Sequence, residues 1–135
     1  MRVPLIFVLE DDMDDEKLTV RAIEREFPSA FVVVASGGQE AVQTLGLDRE
    51  SGLDPDLAIL DIKVPRLDGF EVLKLLRGHP RLTKTRVVVF SSSCDEEDAK
   101  RAADLGAELI RKPLDPADYT AQVCEIVRTR LSSSD

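Results

Sequence analysis

Apolar residues fall into five short strand-like runs along this chain, and polar or helix-periodic segments separate them. The runs are Leu5–Leu9, Phe31–Ala35, Leu57–Leu60, Val87–Phe90 and Ala107–Arg111, with Leu109–Arg111 as the strand portion of the last. Continuous apolar runs of this length predict strands buried on both faces, the habit of parallel sheet.

The intervening segments carry helix signals. Asp14 or Asp15 opens a helix reaching about Glu26, with acids in its first turn and Leu18, Ala22, Ile23 and Phe27 as its inward stripe. Phe27-Pro28 ends it. Gly37-Gly38 turns the chain into a short helix over Gln39–Leu45, and Asp48–Asp56 is a polar loop. A loop at Ile62–Gly69, with Pro65 and Asp68-Gly69, leads into a helix over Phe70–Arg77, which Gly78-His79-Pro80 stops. Asp95 and Glu96 open the next helix, and Leu105-Gly106 closes it as a glycine cap. The small residues Ala99, Ala102 and Ala103 face inward on this reading, so the helix packs lightly and is free to shift. Asp115-Pro116 starts the last helix with an N-cap and a proline at the first position. Tyr119, Val123, Ile126, Val127 and Arg130 share one side of it, and Ser132–Asp135 is a flexible tail. This alternation predicts an α/β fold with a parallel sheet, helices on both faces and right-handed crossovers.

Composition bounds the function. A chain of 135 residues is one domain, here residues 1–131, with enough length for a real core. A net charge of −8 argues against nucleic acid and anionic membrane as partners. Cys94 and Cys124 form no C-x-x-C pattern and read as free thiols of a reducing cytoplasm. Met1–Leu9 is too short and too quickly followed by acids to be a signal peptide, and no run reaches transmembrane length. His79 is the one histidine and sits in a helix stop, so neither a zinc site nor a Ser-His-Asp arrangement is expected.

Chemistry enters at the ends of the runs. Leu5–Leu9 leads into Glu10, Asp11 and Asp12, Leu57–Leu60 into Asp61, Val87–Phe90 into Ser91, and Ala107–Arg111 into Lys112-Pro113. In an open parallel sheet the carboxyl ends of the strands line one edge, where ligands bind at the reversal of strand order. Glu10, Asp11 and Asp61 then meet within several ångströms of one another. Carboxylates that close repel, and a hard divalent cation relieves the repulsion. Mg²⁺ suits such a site, with Asp11 and Asp61 as direct ligands and Glu10 acting through water. Asp12 either supports the metal or caps the helix, while Asp14 and Asp15 cap or face solvent. A central carboxylate can attack a phosphoryl group, and Asp61 holds that place. Lys112 supplies a point charge and Ser91 a hydroxyl for the phosphoryl oxygens.

VLEDD at Val8–Asp12, LAILDIKVPRLDG at Leu57–Gly69, VVVFSSS at Val87–Ser93 and DLGAELIRKP at Asp104–Pro113 together carry a family pattern. The chain resembles the receiver domain of two-component response regulators, of the stand-alone, CheY-like kind, over nearly its whole length. The resemblance implies a doubly wound, flavodoxin-like (βα)5 sandwich with a five-stranded parallel sheet in the order 2-1-3-4-5. It implies that Glu10 and Asp11 hold Mg²⁺, that Asp61 is the phosphoacceptor, and that Lys63 gives its backbone carbonyl to the metal. It makes Ser91 the switch hydroxyl and Lys112 the partner of the phosphoryl group, with Lys112-Pro113 often a cis bond in such domains. Two positions depart from the pattern. Leu109 stands where the family often has an aromatic switch, so motion of the Ser91–Asp95 loop takes over that coupling. Lys63 puts a flexible cation beside Asp61 where a small residue is common, which predicts an altered aspartyl-phosphate lifetime. The long stretch before Asp61 is similar to receivers that partner phytochrome-type histidine kinases.

The expected function is therefore a signalling switch. A sensor histidine kinase donates a phosphoryl group to Asp61 with Mg²⁺ bound, and the last two helices and fifth strand present an output face to a partner or a second copy. Tyr119 and the alanine-rich fourth helix are expected on or near that face. Two other classes compete. An aspartyl phosphatase of the haloacid-dehalogenase type would need an Asp two residues after Asp61, where Lys63 stands. A receiver-like module that is never phosphorylated would bind partners only.

Overall fold

The computed structural model describes residues 3–63, 68–92 and 94–132. The middle of the Ile62–Gly69 loop, including Pro65, lies outside the described residues, as do Ser93 and positions 133–135 of the expected tail.

Five strands form one parallel sheet: β1 (Leu5–Leu9), β2 (Phe31–Ala35), β3 (Leu57–Leu60), β4 (Arg86–Ser91) and β5 (Glu108–Arg111), in the order β2-β1-β3-β4-β5. The helices are α1 (Met13–Glu26), α2 (Gly38–Leu45), α3 (Gly69–Gly78), α4 (Glu96–Asp104) and α5 (Pro116–Ser132), with a 3-10 turn at Pro80–Leu82. The order reverses beside β1, as a doubly wound fold requires.

Side chains alternate across the pleat, and the core divides accordingly. Phe7, Leu9, Ala58, Leu60, Val87 and Val89 face one way, against Ala41, Leu45, Val72, Leu73 and Leu76 of α2 and α3. Ile6, Val8, Leu57, Ile59, Val88 and Phe90 face the other, against Ala22 and Ile23 of α1 and Val123, Ile126 and Val127 of α5. Every strand of the sheet centre is therefore buried on both sides, which is why the sequence shows unbroken apolar runs instead of alternation.

Helix termini follow local chemistry. Asp12 is the N-cap of α1 and accepts from the Asp15 amide at 2.9 Å. Of the two roles expected for Asp12, capping is the one seen. Asp68 caps α3, and Asp95 with Asp98 makes a reciprocal capping box on α4. Gly106 follows α4 with φ of 69°, the left-handed conformation expected of a glycine cap. Gly69 serves a different need, because a Cβ there would lie 2.3 Å from the Asp61 carbonyl oxygen. Its missing side chain lets α3 begin directly against the main chain that follows β3.

Three expectations are corrected. Of the three alanines of α4 only Ala102 is buried; Ala99 and Ala103 face solvent. Polar ties compensate: Arg101 lies over the Phe70 ring at 4.1 Å, and Arg77 Nε donates to the Leu105 carbonyl at 2.8 Å. Tyr119 is not on an outer face but 2% exposed, because its ring packs edge-on against Phe90 with centroids 5.1 Å apart, between α1 and α5. The described residues contain no cis peptide, so Lys112-Pro113 is trans.

The Asp48–Asp56 loop is tied down by Arg81. Its guanidinium donates to the Leu45 carbonyl at 2.6 Å, the Leu53 carbonyl at 2.7 Å and the Glu50 carbonyl at 3.2 Å, and pairs with Asp54. His79, expected to be incidental, contacts the Arg49 carbonyl oxygen through Nε2 at 2.6 Å and accepts from the Arg81 amide.

Candidate functional site

Ladder hydrogen bonds run one residue past the strand ends and fix the site. The Glu10 amide donates to the Ala35 carbonyl and the Asp61 amide to the Leu9 carbonyl, each at 3.0 Å, while the Lys112 amide donates to the Ser91 carbonyl at 2.9 Å. Leu9 pairs with Leu60 and Ser91 with Arg111, so Glu10 and Asp61 emerge side by side while Ser91 and Lys112 do so one strand further along.

The sheet edge thus brings together Glu10, Asp11, Asp61, Ser91 and Lys112. Carboxylate oxygens of Glu10, Asp11 and Asp61 all lie within 4.8 Å of one another. Asp11 is exposed, whereas Glu10, Asp61, Ser91 and Lys112 are buried. Asp61 Oδ1 accepts from Ser91 Oγ at 3.1 Å and from the Lys63 amide at 2.9 Å. Asp61 Oδ2 accepts from Lys112 Nζ at 2.8 Å. Lys63 joins the site through its main chain; its side chain is exposed. Lys112 Nζ also donates to Glu10 Oε1 at 2.5 Å.

Burial works against both charged partners. It pushes the Glu10 carboxyl up to about 7, with the Lys112 ammonium pulling the other way. Burial alone would lower the pKa of Lys112, but hydrogen bonds to Asp61, Glu10 and Asp15 outweigh it and hold the ammonium charged. Such a site holds three carboxylates whose oxygens lie within 4.8 Å of one another, beside one buried cation. It offers hard oxygen ligands to a divalent ion and a charge partner to an incoming anion.

Asp15 was expected to cap or face solvent. Its Oδ2 instead lies 2.9 Å from Lys112 Nζ, which makes it a member of this cluster that the sequence did not single out. Its place in the first turn of α1 carries no such signal by itself, because the approach to Lys112 depends on how that helix is rotated over the sheet edge. Leu109 is half-buried on the side of α3 and α4 and offers no ring to the site. The loop after Ser91 is held elsewhere: Arg111 donates to the Cys94 carbonyl at 2.7 Å.

The model of the response regulator receiver domain matches residues 6–124, and the chain belongs to that family, a module of two-component systems. A solved structure of the phosphorylated cyanobacterial phytochrome response regulator RcpA is 30% identical, with a TM-score of 0.89 over 99% of this chain and 98% of that one. The bacteriophytochrome response regulator AtBRR is 32% identical, with a TM-score of 0.70 over 93% of this chain and 95% of that one. Among curated proteins, the probable methanogenesis regulatory protein FilR2 of Methanothrix harundinacea is 32% identical over 125 residues, covering 90% of this chain and 80% of that protein. Other curated relatives are longer. The chain spans 29% of a Geobacter sulfurreducens protein-glutamate methylesterase/protein-glutamine glutaminase and 47% of Bacillus subtilis PhoP. Among the described residues no helix is long and apolar enough to cross a membrane.

Proposed function

We propose that this receiver is the phosphoryl-accepting switch of a two-component phosphorelay and that Asp61 takes the phosphoryl group. The observation that carries the reading is the convergence of Asp61 with Glu10 and Asp11, oxygens within 4.8 Å, beside the buried Lys112 and Ser91. Oxygen donors so spaced fit Mg²⁺: Asp11 and Asp61 as direct ligands, Glu10 through water, and the Lys63 carbonyl as a further ligand. When bound, the ion neutralises charge on the phosphoryl oxygens and helps to align the transfer.

The chain's own groups supply the rest. An Asp61 carboxylate oxygen attacks phosphorus in a phosphohistidine of the donor kinase; the P–O bond forms, the P–N bond breaks, and the histidine nitrogen keeps the electron pair and takes a proton. Lys112 turns from the carboxylate to a phosphoryl oxygen, and the Ser91 hydroxyl turns from Asp61 Oδ1 to another. Hydrolysis reverses the state. The chain acts on no further substrate in this scheme.

RcpA and AtBRR are phytochrome response regulators, which supports a phytochrome-type histidine kinase as the donor, in the cytoplasm. Ser91 begins the segment that leads into α4, so the face formed by α4, β5 and α5 carries the output to a partner or a second copy. In intact-mass measurements with acetyl phosphate, we expect a Mg²⁺-dependent gain of one phosphoryl group that Asp61→Asn abolishes. A wild type that gains nothing from acetyl phosphate and nothing from a phosphorylated histidine kinase would overturn the reading in favour of a module that only binds partners, the alternative that Leu109 keeps open.

A further inference from the structure

We propose that Asp15 is a positioning residue for Lys112: it gives the ammonium an acceptor that neither the cation nor the phosphoryl group needs, so that Lys112 stays seated while Glu10 and Asp61 change partners. The inference rests on the proposed function for its purpose but on geometry for its substance.

An ammonium has three N–H donors, and Lys112 spends them on Glu10, Asp61 and Asp15 at 2.5, 2.8 and 2.9 Å. Two of those carboxylates belong to the trio that would hold the metal. Asp15 does not; it approaches from α1, and its side chain is 31% exposed against 4% for Glu10 and 7% for Asp61. A ligand entering at Glu10 and Asp61 strips Lys112 of two acceptors at once. With no third acceptor, a nearly buried ammonium must either hold those carboxylates against the cation or leave the site.

The main chain of Asp15 is anchored for the task. Its amide donates to the Asp12 carboxylate at 2.9 Å, and its carbonyl accepts from the Tyr119 hydroxyl at 3.3 Å. That hydroxyl is itself 2.8 Å from Thr19 Oγ1, inside the contact between α1 and α5. A competing explanation is that Asp15 merely complements the positive end of α1. Asp14 lies in the same turn, carries the same charge and is exposed, so it answers that explanation directly.

Two readouts on Asp15→Ala and Asp14→Ala test the proposal in the intact chain. The first is the rate at which an acetylating reagent labels Lys112 in metal-free protein, followed by mass spectrometry. The second is the affinity for Mg²⁺ by isothermal titration calorimetry. We expect Asp15→Ala to speed Lys112 labelling and weaken Mg²⁺ binding, each by about fivefold, with Asp14→Ala within about twofold of wild type on both. Melting midpoints should fall further in Asp15→Ala, which loses the Lys112 hydrogen bond as well as one first-turn acid, than in Asp14→Ala, which loses the acid alone. Unchanged labelling in Asp15→Ala, or equal effects in both variants, overturns the positioning role. A wild type that binds no Mg²⁺ overturns the proposed function instead, and the labelling still decides whether Asp15 holds Lys112.

Discussion

Lys112 reaches Asp61 across the end of an intervening strand, Nζ to Oδ2 at 2.8 Å, although 51 positions separate the two residues in sequence. Asp61 follows β3 and Lys112 follows β5, with β4 between them. The ammonium therefore passes over Ser91, whose hydroxyl bonds the other oxygen of the same carboxylate at 3.1 Å. One buried cation thus ties together elements that any change at Asp61 would disturb.

The trio of acids is costly when no cation is present. Asp11 is the exposed member, near Glu10 and Asp61. In EDTA we expect Asp11→Ala to stabilise the fold by about 0.5–1 kcal/mol in urea melts through relief of like-charge repulsion. Added Mg²⁺ should stabilise wild type and leave the variant unmoved. Equal gains in both would remove Asp11 from the metal site.

Glu10 sets a pH signature. Burial raises its carboxyl from an ordinary 4.5 to about 7 in the folded chain. The folded state then binds more protons than the unfolded one between those values, so this contribution is full below about 4.5 and is lost as pH rises through about 7. In EDTA, wild type should lose stability over that interval that Glu10→Gln does not lose. Parallel stability–pH profiles for the two proteins would refute it.

Most of the architecture could be read from the chain because a parallel sheet buried on both faces writes its strands as plain apolar runs. The residues at the ends of those runs become neighbours by topology alone, so Glu10, Asp11, Asp61, Ser91 and Lys112 could be grouped without coordinates. Asp15 could not, because its approach to Lys112 depends on how α1 is rotated over the sheet edge. Tyr119 was misplaced despite sharing a stripe with Val123, Ile126 and Val127, a spacing that itself argues for burial. Arg81 escaped notice and His79 was read as incidental because their partners include main-chain carbonyls, which leave no trace in side-chain identity.

Tyr119 joins the two helices next to the site. Tyr119→Phe keeps the ring against Phe90 and loses the hydroxyl contact with Thr19, and we expect it to cost about 1 kcal/mol. Tyr119→Ala should cost about 3–5 kcal/mol by opening a cavity between α1 and α5. Chemical denaturation distinguishes these from the negligible effects that a surface tyrosine would give.

Arg81 holds the long loop through carbonyls at three separate positions. Arg81→Ala should destabilise the chain by about 2 kcal/mol, and Arg81→Lys should recover little of it, since an ammonium cannot reproduce the planar fork. Full rescue by lysine in urea melts would show that charge alone matters there.

The central claim is that Asp61 carries the phosphoryl group, and reductive trapping tests it most directly. Borohydride converts an aspartyl phosphate to homoserine. After treatment with Mg²⁺ and acetyl phosphate, followed by borohydride and peptide mass spectrometry, homoserine should appear at position 61 and only when Mg²⁺ is present. Homoserine at another aspartate, or a phosphoryl mass gain with residue 61 still aspartate after reduction, would contradict it.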